Sequence, residues 1–152
     1  MTESDFSGIL LIGLGSPHGD DQVGWRVAEE ISRLVPTLPT ACVASPIEIL
    51  DRLDDVKRLV ICDACRSAGV VGGIYRWQWP DRQLAPIEFS GTHDVELSAV
   101  LKLASALGRL PKQVTIWGIE IESSQPGQPL SASLAQEVAR IARTICEDFH
   151  AT

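Results

Sequence analysis

Two aliphatic runs, Ile9-Leu10-Leu11-Ile12 and Leu59-Val60-Ile61, lack polar alternation, and each leads directly into an acidic turn. Strands of this kind are buried on both faces, the situation in a parallel sheet that carries helices on its two sides. The turns that follow are Gly15-Ser16-Pro17-His18-Gly19-Asp20-Asp21 and Cys62-Asp63-Ala64. Acidic residues where parallel strands end stand at the edge on which α/β sheets bind ligands, so they are candidates for chemistry rather than packing.

Strand-like and helix-like segments alternate along the rest of the chain. Val23, Val27, Ile31, Leu34 and Val35 recur at helical spacing before Pro36, with Asp20 and Asp21 at the positive end of that helix. Ala41–Ala44 reads as a second strand, Pro46–Leu53 as a short helix and Lys57–Cys62 as the third strand. Tyr75, Trp77 and Trp79 alternate with Ile74, Arg76 and Gln78 up to Pro80, the pattern of a half-exposed edge strand. The turn region before this fourth strand is too short for a parallel crossover, so the strand is expected to run antiparallel. A long helix opens near Thr92–Asp94 with the stripe Leu97, Val100, Leu101, Ala104 and Leu107, and Val114–Ile119 forms the fifth strand. The last helix has the stripe Leu134, Val138, Ile141, Ile145 and Phe149, with Ser133 and Gln136 spaced as a capping box. The expectation is a single domain over residues 1–152, built as an α/β/α three-layer sandwich on a mixed sheet.

Composition narrows the function. Thirteen Lys and Arg against twenty Asp and Glu give a net charge of -7, which leaves no electrostatic footprint for nucleic acid. No apolar stretch reaches the length of a membrane span, and Met1–Ser7 is polar and acidic, without the basic start and apolar run of a signal peptide. A soluble, cytoplasmic protein with its four cysteines as free thiols is expected.

The first turn invites a phosphate-binding reading that its residues refuse. His18 stands where a third glycine would be needed, no Lys followed by Ser or Thr supplies a P-loop, and two aspartates repel phosphate. Acid there favours a cation. Asp20 or Asp21 could simply cap the first helix, but one aspartate suffices for that role. Asp63 could be a turn residue; if strands one and three are neighbours with strand two on the far side of strand one, Asp21 and Asp63 face one crevice. His93, in Ser90-Gly91-Thr92-His93-Asp94, is either a cap or a third donor. Two oxygens and one nitrogen with open positions suit zinc, nickel or a similar divalent ion better than calcium or magnesium. His18 is a weaker candidate at the rim, and His150 is expected to be solvated. Cys62 and Cys65 have Cys-x-x-Cys spacing, yet Cys62 ends an aliphatic strand and Asp63 lies between them, which disfavours a thiolate.

Taken in order, these pieces resemble the maturation endopeptidases of [NiFe] hydrogenases. The likeness runs from Ile9–Gly15 through Asp20-Asp21-Gln22-Val23-Gly24 and Val60–Ala64. It continues with Thr92-His93-Asp94, Leu107-Gly108-Arg109-Leu110-Pro111, Gly118-Ile119-Glu120 and Leu130-Ser131. The resemblance implies a five-stranded α/β/α domain of phosphorylase/hydrolase-like fold with an antiparallel fourth strand. It also implies divalent-metal binding by the residues that match Asp21, Asp63 and His93. The metal would be nickel brought by the substrate, with zinc or cadmium as surrogates, and the partner a hydrogenase large-subunit precursor that loses its C-terminal extension to a monomeric enzyme. Either the metal or a general base such as Asp20 would activate water. Ser16-Pro17-His18-Gly19 is shorter than the equivalent segment of such proteins, and Ala44-Ser45-Pro46-Ile47-Glu48 stands where they carry an Asp-Gly-Gly-like turn, a function that Glu48 or Ser45 could replace. Two other readings are a nickel-binding accessory module that cuts nothing and a thiol oxidoreductase using Cys62 and Cys65.

Overall fold

The computed structural model describes residues 6–89, 96–122 and 125–151. Its strands are β1 (Ile9–Leu14), β2 (Thr40–Val43), β3 (Arg58–Arg66), β4 (Ile74–Gln78), β5 (Glu88–Phe89) and β6 (Gln113–Glu120); its helices are α1 (Val23–Leu34), α2 (Leu97–Ala106) and α3 (Ala132–Ala151). The sheet order is β2-β1-β3-β6-β4, with β5 added to the end of β3. β1, β2, β3 and β6 are parallel, whereas β4 runs antiparallel to β6. The five expected strands are therefore present, the fourth antiparallel and at an edge. The sheet has six strands because the two-residue β5 pairs antiparallel with Cys65 and Arg66. Two residues carry too little periodicity to be read as a strand.

Strand parity builds two cores. Leu11, Val60, Cys62, Ala64, Trp117 and Ile119 face α1 and α3, meeting Val23, Val27, Ile31, Leu134, Ile141, Ile145 and Phe149. Leu10, Ile12, Leu14, Leu59, Ile61, Cys65, Val114 and Ile116 face α2 and the 3-10 segment Pro46–Arg52, meeting Ile49, Leu97 and Leu101. The Tyr75, Trp77 and Trp79 row packs onto this second core; Trp77 stacks on Tyr75 at 6.2 Å and meets Phe89 edge-on at 6.1 Å. This alternation serves packing. Among the described residues no helix is long and apolar enough to cross a membrane.

Several local expectations change. Leu34 and Leu107 are exposed at the ends of their helices, Leu107 at 57%. Ser133 lies inside α3, which begins at Ala132, and the Ala135 amide donates to the Ser131 carbonyl just before it. The expected opening of the long helix at Thr92–Asp94 falls outside the described residues, and α2 is described from Leu97.

Candidate active site at the carboxyl edge of the sheet

β3 does not end before Asp63, as its aliphatic run alone suggests. It continues to Arg66 because β6 supports it along its whole length, with Asp63 opposite Gly118 and Cys65 opposite Glu120. On its other flank, β1 pairs only as far as Gly13 opposite Cys62, and β5 takes over at Cys65. Asp63 thus sits where one flank of β3 lies between two partners. This is the crevice beside the strand-order reversal, since β2 and β3 lie on opposite sides of β1. Asp63 is fully buried, and its parity with Leu59, Ile61 and Cys65 assigns it to the face covered by α2.

The start of α1 closes on the same crevice. A Cβ on Gly24 would lie 2.1 Å from the Leu14 carbonyl oxygen, 2.7 Å from that of Cys62 and 3.2 Å from the Cα of Asp63. Glycine alone permits this approach of helix to strand ends. The 3-10 turn Gly19–Gln22 precedes α1 and touches β3. It carries Asp21, only 5% exposed, whose carbonyl accepts a hydrogen bond from the Ser16 amide at 3.2 Å while its own amide donates to His18 at 3.1 Å. Gly15 makes the folded-back turn possible, because a Cβ there would stand 2.7 Å from the Asp21 carbonyl oxygen. The two buried carboxylates predicted to share a crevice are therefore carried by contacting elements. Two anionic groups held in such a place favour a cation or a shared proton.

His93, the expected third donor, lies outside the described residues. Among the described residues, no three His, Cys, Asp or Glu side chains converge as a metal-binding group. Donor chemistry nevertheless fits a divalent ion: two carboxylates leave coordination positions for an imidazole and for substrate.

Asp20 points elsewhere. Its carboxylate accepts the Ser131 amide at 2.8 Å and the Ser131 hydroxyl at 3.2 Å, so it caps α3 rather than the first helix. The His18 ring accepts from the Gly127 amide through Nδ1 at 3.3 Å. Glu48 is occupied in closing its own turn, accepting the Ala44 and Ser45 amides at 2.9 Å each. Glu120 was legible only as part of a familiar string. Buried at the end of β6, its carboxylate accepts the amides of Ser67, Ala68 and Gly69 and shapes the loop after β3. A charged residue closing an aliphatic strand was the available signal.

The thiol reading loses its geometry. Cys62 and Cys65 belong to opposite cores of the sheet, and both are free. Burial, then the charges of Asp63 and Cys42, push the Cys62 thiol far up; burial, then Glu120 and Asp63, push Cys65 up to about 12. Neither is a thiolate near neutrality.

Comparison with solved structures gives the same fold. HycI, a [NiFe] hydrogenase maturation protease from Thermococcus kodakarensis, superposes with a TM-score of 0.73 at 23% identity, covering 97% of this chain and 97% of that one. The hydrogenase maturating endopeptidase HybD from E. coli gives 0.73 at 21% identity, covering 93% and 91%. A hydrogenase 2 maturation peptidase from Thaumarchaeota archaeon SCGC_AB-539-E09 gives 0.67 at 25% identity, covering 93% and 97%. No curated protein sequence matches. The HycI family model, described as hydrogenase maturation protease, matches residues 44–148, well over half of the chain. A chain matched over that length, with the fold of those enzymes and two buried carboxylates at its sheet switch point, belongs to the hydrogenase maturation protease family.

Proposed function

We propose that this peptidase removes the C-terminal extension of a [NiFe] hydrogenase large-subunit precursor after nickel insertion, and that Asp21, Asp63 and His93 grip the nickel carried by that substrate. The observation that carries the reading is the burial of two carboxylates, on the turn before α1 and on β3, in elements that touch beside the crevice at the strand-order reversal. Buried carboxylates bind a cation strongly because burial removes competing water, and the cation relieves their mutual repulsion. Once the precursor's nickel is gripped, its scissile peptide is held at a fixed distance from the enzyme, which converts recognition into positioning. Held by Asp21, Asp63 and His93, the nickel would lower the pKa of a bound water and so supply a nucleophile at neutral pH. The alternative route, a general base at Asp20, is opposed by the engagement of both its oxygens with Ser131. In this reading the enzyme works as a monomer in the cytoplasm, and zinc or cadmium can occupy the grip as surrogates.

The test is incubation with nickel-loaded and nickel-free precursor, followed by mass spectrometry of the large subunit. Loss of the extension from the loaded form alone is expected. Binding of the loaded precursor without cleavage would replace the protease reading by that of an accessory module.

A further inference from the structure

The turn that carries Asp21 is strapped to a distant segment, residues 125–131, by a set of hydrogen bonds that the cleavage chemistry does not use. The Gly19 amide donates to the Gln128 carbonyl at 2.8 Å, and the Gln22 side-chain amide donates to the same oxygen at 3.2 Å. The Gly127 amide donates to His18 Nδ1. Asp20 adds the bonds with the best chemistry, one carboxylate oxygen on the Ser131 amide and the other on its hydroxyl. Ser131 immediately precedes α3 and its carbonyl accepts the Ala135 amide, so the carboxylate also sits at the positive end of a 20-residue helix.

We infer that Asp20 is a positioning residue: by anchoring the Gly19–Gln22 turn to the start of α3 it fixes Asp21 in the crevice opposite Asp63. The inference rests on the reading that Asp21 belongs to a working site. The turn's own backbone bonds, Ser16 to Asp21 and Asp21 to His18, close it locally, whereas the bonds of His18, Gly19, Asp20 and Gln22 tie it to residues 127–131. α3 is a rigid body that holds the turn from the side opposite its junction with α1, because its stripe is buried against α1 and the sheet. A displacement of about 1 Å in a catalytic group costs on the order of a hundredfold in rate, so an anchor one residue away matters for catalysis without touching substrate. The charge of Asp20 is secondary in this role; its shape and acceptor oxygens are what the strap uses.

The Asn and Ala variants separate this role from that of a general base. Asn keeps one acceptor for the Ser131 amide, and its NH2 group can donate to the Ser131 hydroxyl oxygen. Asp20→Asn is therefore expected to cleave loaded precursor within about threefold of the parent, whereas Asp20→Ala falls by about tenfold or more. Amide hydrogen exchange supplies a readout independent of cleavage. In Asp20→Ala, the Gly19 and Gly127 amides, which Asp20 does not touch, exchange faster; in Asp20→Asn they stay protected. If Asp20→Asn is as inactive as Asp20→Ala, a base function replaces the inference. If Asp20→Ala cleaves like the parent, or leaves those two amides protected, the strap does not position the turn. A parent protein that fails to cut loaded precursor would overturn the proposed function, and the exchange comparison would still decide the strap.

Discussion

Gly24→Ala is the perturbation that most directly probes how the crevice is assembled. An added Cβ would stand 2.1 Å from the Leu14 carbonyl oxygen, and real Cβ atoms do not approach closer than 3.0 Å, so α1 must retreat by about 0.9 Å. Both of the closest obstacles are strand carbonyls, which cannot rotate away as a side chain would. A gap of that size forfeits roughly a quarter to a half of each dispersion contact that α1 makes through Val23, Val27 and Ile31. Overpacking costs about 1–3 kcal/mol, and the rigidity of the obstacles places this case at the upper end. Against it stands a gain of about 1 kcal/mol from replacing glycine in a helix. The net loss of about 2 kcal/mol lowers the melting temperature by about 4–8 °C in a chain of this size. Because the same retreat carries the Asp21 turn away from Asp63, cleavage falls by about a hundredfold. Melting by circular dichroism measures the first effect, and cleavage of loaded precursor measures the second. Ser105→Ala, on the exposed side of α2, serves as the control for helix propensity and should gain about 0.5 kcal/mol. A Gly24→Ala protein that melts at or above the parent and cleaves at the parent rate would refute the close-approach reasoning.

Further outcomes follow from the same contacts. His93→Ala is expected to abolish processing while leaving the melting transition in place; normal cleavage by the folded variant removes His93 from the site. Glu120→Ala strips acceptors from the amides of Ser67, Ala68 and Gly69 and should cost about 2–4 kcal/mol in urea unfolding, an unchanged midpoint being the contrary result. With its thiol pushed up to about 12 by burial, Cys65 should resist alkylation in the native state while the exposed Cys42 reacts first. Cys65→Ser should retain cleavage; its loss would restore the thiol reading.

The sequence alone determined the layered fold, because runs such as Ile9–Ile12 and Leu59–Ile61 can be buried only in a sheet covered on both faces, and because helical stripes such as Leu134 to Phe149 must face it. It also marked Asp20, Asp21 and Asp63 as candidates, since acid after an aliphatic strand is locally out of place. Tertiary structure decided everything that depended on which segments meet. The length of β3 past Asp63 came from β6, and the short β5 came from the free flank beyond β1. Asp20 and Asp21 are neighbours with the same side chain, and no local pattern distinguishes them; Ser131, from the far end of the chain, claims one and leaves the other buried in the crevice. Spacing along a chain reports which face a residue takes within its own element, whereas a hydrogen-bond partner or a close approach such as that of Gly24 exists only once two elements have packed.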